Sequence, residues 1–382
     1  MCGIVGAIAE RNITDILVEG LKRLEYRGYD SAGVAVLEKN GAIRACKRVG
    51  KVVNVQDGLR EDPIAGVLGI AHTRWATHGK PSEANAHPHF SGDHGIAVVH
   101  NGIIENHQQL REKLSAKGYT FLSQTDTETI VHLIDDCWKS GGDLLSAVRC
   151  AISQLEGAYA LAVIAAREPN KMIVAREGSP LVIGVGYGEN FVASDPLALR
   201  MITDKFIYLA EGDVAVVSLD AVTVWDKEGI PQQRTIEKVD ETHDSADKGA
   251  YRHFMLKEIF EQPAVFEHTL QGRIAKDHLV EECFGAEARE KLDAAKAIQI
   301  VACGTSYHAG MVARYWIEQY AGLPCQVEVA SEFRYRHRKP LPDTLFVAIS
   351  QSGETADTLA ALKNLDRANY IGSLAVCNVA NS

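Results

Sequence analysis

The chain has 382 residues, 46% of them apolar and 24% charged, a composition that can bury a sizeable core and excludes a disordered or low-complexity protein. Its length fits two or three domains. The net charge is −10, from 40 basic and 50 acidic side chains, so bulk charge gives no basis for nucleic acid as a partner, and no apolar run approaches the ~18–20 residues of a membrane helix.

The start, MCGIVGAIAERN, lacks the basic stretch and long apolar core of a signal peptide, which points to the cytoplasm. Cys2–Ala9 reads as a short buried strand, and the spacing of apolar residues predicts a helix over Thr14–Tyr26, capped by Asn12 or Thr14. Strand-like runs follow at Ala32–Leu37, Ala42–Val49, Gly66–His72 and Gly95–His100. Helices are predicted over Glu105–Lys117, Asp126–Lys139 and Asp143–Leu155, the last stopped at Gly157. From Ala158 to Asp226 the pattern returns to strands, which suggests an α+β unit of packed sheets with helices outside. Lys227–Ala250 is polar and reads as a linker. Beyond it, a helix over Tyr251–Leu270 contains Pro263. Strand-turn-helix units then begin at IQIVACGTSYHAG and LFVAISQSGETAD and end with the apolar run SLAVCNV, the grammar of a doubly wound parallel α/β sheet.

Cysteine use divides in two. Cys46, Cys137, Cys150, Cys283, Cys303, Cys325 and Cys377 form no CxxC pair and read as small buried thiols in a reducing compartment. Cys2 differs, because removal of Met1 would make it the N-terminus, with a thiol and a free α-amine on one residue. The amine, with a reference pKa of about 7.7–8.0 against about 8.5 for the thiol, can take the thiol proton near neutral pH. Three further segments carry chemistry beside a plainer alternative. HTRWATHG exposes Arg74, suited to clamping a carboxylate, although a lone Arg is more often in a surface ion pair. HNGIIEN offers the Asn101 amide and the neighbouring Gly102 N–H at a strand end as oxyanion donors, yet Asn-Gly is also the commonest turn dipeptide. QTDTET puts Asp126 near a helix N-terminus, as a cap or as the partner of a substrate ammonium.

Taken in order, MCGIVGAI, LEYRGYDSAG, HTRWATHG, NAHPH, HNGIIEN and TDTE resemble the class II, N-terminal-nucleophile glutamine amidotransferase family over residues 2–226. The resemblance implies a four-layer αββα fold and hydrolysis of the glutamine side-chain amide. It makes Cys2 the nucleophile with its α-amine as base, and Asn101 and Gly102 the oxyanion hole. Arg74, with Thr77 and His78 beside it, would bind the glutamine α-carboxylate and Asp126 its α-ammonium. Arg27 would order the N-terminus, and Trp75 would gate ammonia passage.

Seven of the 14 His lie between His72 and His107, which raises a metal site, but no HExxH or Cys/His ligand set is present. The expectation is therefore no metal and no cofactor.

In the second domain, CGTSYHAG and SQSGET each put small hydroxyl residues and Gly between a strand and a helix. Such loops can hold a phosphate, or their Ser and Thr can simply cap the helices. Neither is a Walker A or GxGxxG loop. They resemble the sugar-isomerase (SIS) family over residues 251–382. By that likeness Ser306, Ser350, Gln351, Ser352 and Thr355 hold a sugar phosphate, and Cys303 and Thr305 line its sugar side. An amidotransferase domain followed by an SIS domain resembles the isomerizing sugar-phosphate amidotransferases, in which ammonia passes to fructose 6-phosphate to give glucosamine 6-phosphate. That family is homodimeric and carries a second SIS domain with the isomerase groups. The expectation is thus a fragment with an incomplete first SIS domain, keeping the glutaminase residues without the isomerase machinery. Two alternatives are weaker. A phosphoribosyl amidotransferase requires an Asp-rich ribose-diphosphate loop, and a sugar-phosphate-sensing regulator requires a DNA-binding motif; neither is found.

Overall fold

The computed structural model describes all residues except 1, 26–27, 76–78, 239–250, 272, 275–278, 281–283, 285–287, 338, 354 and 379–382. The chain divides into two units, residues 1–247 and 248–382.

The first unit is built in layers because its central strands are apolar on both faces. In β1 (Gly3–Ala9), Ile4 and Ile8 point into one core while Val5, Ala7 and Ala9 point into another. The chain continues through α1 (Thr14–Leu24), β2 (Ser31–Leu37), β3 (Ile43–Val49), α2 (Val52–Glu61) and β4 (Leu68–Arg74). Next come β5 (His89–Phe90), β6 (Ile96–Ile104), α3 (His107–Ala116), α4 (Asp126–Lys139) and α5 (Leu144–Ile152). The strands β7 (Gly157–Ala165), β8 (Lys171–Glu177), β9 (Val182–Val185), β10 (Glu189–Ala193), β11 (Lys205–Tyr208), β12 (Val214–Ser218), β13 (Val222–Trp225), β14 (Pro231–Gln232) and β15 (Ile236–Lys238) complete the unit.

Two antiparallel sheets result, ordered β15-β11-β9-β10-β1-β4-β2-β3 and β14-β13-β12-β8-β7-β6-β5. One core lies between them, where Ile4, Ile8 and Ile70 of the first sheet meet Ala97, Val99, Ala160 and Ala162 of the second. A second core packs α1 and α2 on the outer face of the first sheet, and a third packs α3, α4 and α5 on the outer face of the second. Three cores in series make the four αββα layers. Each fully buried Leu or Ile among them contributes on the order of 1.5–3 kcal/mol.

The second unit holds α6 (Phe254–Leu270), with Pro263 inside it, α7 (Ala288–Ala294), β16 (Ala297–Ala302), α8 (Gly304–Trp316), β17 (Cys325–Val329), α9 (Ala330–Phe333), β18 (Thr344–Ser350), α10 (Ala356–Lys363) and β19 (Gly372–Cys377). Its four parallel strands run in the order β17-β16-β18-β19, so chain direction across the sheet reverses between β16 and β18. This is a doubly wound α/β arrangement.

Four expectations are corrected. Helix α2 was not foreseen: its buried stripe is only Val52, Val55 and Gly58, and Lys51 before it makes no side-chain cap bond. Asn101 and Gly102 lie inside β6, not at a strand end, opposite Ala160 and Tyr159 of β7. In the expected linker, β14 and β15 pair with β13 and β11, and Arg234 forms a two-pronged ion pair at 2.6 and 2.9 Å with the fully buried Asp213; residues 239–250 lie outside the described residues. Cys137 and Cys150 are joined in a disulfide rather than standing as separate thiols, because packing of α4 on α5 sets their Cα atoms 6.0 Å apart, within disulfide reach.

Candidate active site

Cys2 immediately precedes β1, which is held centrally between β10 and β4. The Ile4 N–H donates to Ser194 Oγ at 3.0 Å and anchors the strand start. The backbone N–H of Trp75, just past the end of β4, donates to Cys2 Sγ at 3.1 Å. Burial pushes the thiol pKa up, and the Trp75 N–H and the Arg74 charge pull it back. The Trp75 ring itself is 56% exposed.

The oxyanion candidates come from the other sheet. Asn101 Nδ2 donates to the Cys2 carbonyl at 3.2 Å. Gly102 has φ +131°, and a Cβ there would lie 2.0 Å from the Ala158 carbonyl, so only glycine fits. Asn101-Gly102 is therefore not a turn dipeptide.

Asp126 is not the cap of α4. That role falls to Thr125, whose hydroxyl accepts from the Glu128 N–H. The Asp126 carboxylate turns instead to β6, accepting the Ile104 N–H at 2.9 Å, and is only 4% exposed. Arg74, equally buried, donates to the Gly79 carbonyl at 3.2 Å and sits 3.7 Å from Asp30. Cys2, Arg74, Trp75, Gly102 and Asp126 line one small cleft with about 20 Å³ of free space, room for a single water. Arg27, Thr77 and His78 lie outside the described residues.

The histidine-rich segment, whose sequence raises a metal site but lacks its ligand spacing, forms a buried polar layer whose His87, His100, Thr125 and Thr127 also line the cleft. His72 Nε2 lies 3.0 Å from both the His100 carbonyl and Asn101 Oδ1. The Thr127 hydroxyl bridges His87 Nε2 at 2.8 Å and His100 Nδ1 at 3.0 Å, and the Thr125 hydroxyl meets His89 Nε2 at 3.0 Å. The rings of His72 and His87 lie with their centroids 4.1 Å apart, tilted by 30° to each other. Burial holds His72, His87 and His89 neutral: it lowers the pKa of His72 to about 3 and takes His87 and His89 well below the ordinary value. Lys47 closes the layer, donating to the Ala86 and Pro88 carbonyls at 2.9 and 3.3 Å. No group of three or more metal-ligating side chains suited to an ion exists among the described residues.

In the second unit, both loops follow the strands that flank the reversal of chain direction, where open parallel sheets take ligands. Cys303 precedes α8, and Thr305 and Ser306 lie in its first turn; no side chain caps the helix. Ser350 ends β18, and its hydroxyl accepts the Gly353 N–H at 3.0 Å. The Gln351 carbonyl accepts the Asn378 N–H at 3.2 Å, and Ser352 is half-buried beside it. Thr355 precedes α10 without capping it. Capping therefore does not account for the hydroxyls at these two helix starts.

Comparison with known proteins agrees with both halves. Residues 72–201 match the family described as glutamine amidotransferase domain, and residues 291–382 match the SIS domain. The chain joins a glutamine amidotransferase domain to an SIS domain. It is 62% identical over 99% of its length to the glutamine–fructose-6-phosphate aminotransferase [isomerizing] of Pseudomonas putida, and 62% identical over its whole length to that of Pseudomonas aeruginosa. It spans 62% of the length of each. A solved glutamine phosphoribosylpyrophosphate amidotransferase from B. subtilis shares the fold, with a TM-score of 0.51 at 21% identity, over 91% of this chain and 75% of that one. Among the described residues, no helix of the amidotransferase or SIS domain is long and apolar enough to cross a membrane.

Proposed function

We propose that the amidotransferase domain, residues 2–226, hydrolyses the side-chain amide of L-glutamine. Once Met1 is removed, the Cys2 α-amine takes the thiol proton, and Sγ attacks the amide carbon. The developing oxyanion is met by Asn101 Nδ2 and the Gly102 N–H. Ammonia leaves with a proton returned by the amine, and water frees glutamate from the thioester. Arg74 binds the α-carboxylate and Asp126 the α-ammonium, with Thr77, His78 and Arg27 assisting and Trp75 guarding ammonia exit. The SIS domain, residues 251–382, binds fructose 6-phosphate through Ser306, Ser350, Gln351, Ser352 and Thr355, with Cys303 and Thr305 toward the sugar. In the whole protein the ammonia would then yield glucosamine 6-phosphate, in a cytoplasmic homodimer.

The observation that carries this reading is the meeting of Cys2, Gly102, Arg74 and Asp126 in one cleft, with Asn101 Nδ2 on the Cys2 carbonyl. Its test is glutamate release from glutamine. Cys2→Ala is expected to abolish activity while leaving the unfolding temperature within about 2 °C, since a half-buried thiol contributes little packing. Glutaminase activity that survives this change, or that persists with Met1 attached, overturns the reading.

A further inference from the structure

An asparagine side chain serves as an oxyanion donor only if its amide nitrogen, not its oxygen, faces the substrate. The two ends are nearly the same size, so their orientation is fixed by hydrogen-bond partners. At Asn101 the partner of the oxygen is His72 Nε2, at 3.0 Å. The same Nε2 lies 3.0 Å from the His100 backbone carbonyl, which can only accept. Nε2 must therefore carry a proton, and it donates to both oxygens.

We infer that His72 is a positioning residue for amide hydrolysis: the His100 carbonyl fixes its tautomer, and its Nε2–H fixes the Asn101 amide with Nδ2 toward Cys2. This rests on the glutaminase reading above. His72 is fully buried on β4 of one sheet and Asn101 lies on β6 of the other, so the bond also pins the oxyanion donor across the gap between the sheets. Charged groups near the ring do not disturb it. Burial, with Arg74 nearby, opposes protonation, and the adjacent His87 is itself neutral. With an unprotonated Nε2 the amide would reverse, presenting Oδ1 to the developing negative charge.

Two measurements test this. In wild-type protein with ¹⁵N-labelled histidine, the His72 ring is expected to carry its proton on Nε2 and not to titrate between about pH 5 and 8. A proton on Nδ1 overturns the proposal whatever the mutants do. In glutamate-release assays, His72→Leu is expected to lower kcat about 10²-fold, the scale of losing one oxyanion donor, with KM changed less than about threefold. His72→Gln, which restores an N–H donor, should recover part of that loss. In an Asn101→Ala background, His72→Leu should cost little more, because its target is gone. Full multiplicative loss in the double variant, or equal damage from Leu and Gln, would mean that His72 only packs. If wild type itself releases no glutamate, the glutaminase reading fails, while the tautomer result still stands or falls separately.

Discussion

At the scale of single residues, burial keeps several imidazoles of the amidotransferase domain uncharged. His72 titrates at about 3 when folded, against an ordinary 6.5 in an unfolded chain, and His87 and His89 are displaced the same way. Below pH 6.5 the unfolded chain thus binds protons that the folded one refuses. The stability these residues contribute is complete above pH 6.5 and is lost as pH falls toward 3. Each can add up to about 1.4 kcal/mol per pH unit to the slope. Urea midpoints of the intact chain are therefore expected to drop steeply between about pH 6.5 and 4.5. A midpoint that holds constant over that range would show the rings to be charged or hydrated in the native protein. The motifs made Cys2, Arg74, Asn101, Gly102 and Asp126 legible in the sequence as candidates, because each lies in a short segment whose residue types suit one chemistry. The role of His72 was not legible. Seven clustered histidines raise a metal site that the missing ligand spacing sets aside, and only the fold sends His72, His87, His89 and His100 to Thr125, Thr127, Asn101 and a carbonyl.

At the scale of elements, the start of α4 positions Asp126. Thr125 caps the helix, while the Glu128 carboxylate reaches back to the Leu122 and Ser123 N–H groups at 2.7 and 2.6 Å and to the Ser123 hydroxyl at 2.7 Å. This varies the capping box, in which the Glu would return to the cap residue itself. Burial raises the Glu128 pKa, but the His132 ring beside it and then these bonds outweigh that and hold it down at about 2. Glu128→Ala strands two backbone donors and is expected to cost about 2–4 kcal/mol. It should also raise KM for glutamine more than it lowers kcat, because Asp126 loses its footing while Cys2 and Asn101 keep theirs. Chemical denaturation and steady-state assays measure the two effects, and an unchanged KM would show that Asp126 is held by β6 alone. Helices such as α4, with its apolar stripe, were readable from spacing; α2 and β15 were not. The buried stripe of α2 is three small residues, and all three residues of β15 are exposed, so what builds both is contact with neighbours rather than pattern.

At the scale of the whole molecule, the groups proposed to hydrolyse glutamine are divided between two sheets. Cys2 and Arg74 ride on the first and Asn101 and Gly102 on the second. Small residues govern the contact between them: Ala97, Ala160 and Ala162 face the gap, and a Cβ on Gly6 would come within 2.8 Å of the Met172 sulfur. Ala162→Leu would overpack this layer, with an expected stability cost of about 1–3 kcal/mol. It should also lower kcat for glutamate release several-fold, although residue 162 lies outside the cleft. Stability loss without any kcat change would show that the sheets yield locally.

Under the proposed glutamine hydrolysis, the thickness of that alanine-lined layer becomes a catalytic dimension. The thiol and the amide proposed to meet the same substrate carbonyl are mounted on opposite walls, so on that reading the core works as a spacer gauge. Its tolerance is set by methyl groups rather than by anything the substrate touches. Selection on turnover would then act on residues that look purely structural, and a change of one or two carbons deep in the interior could retune the chemistry as surely as a change at Cys2.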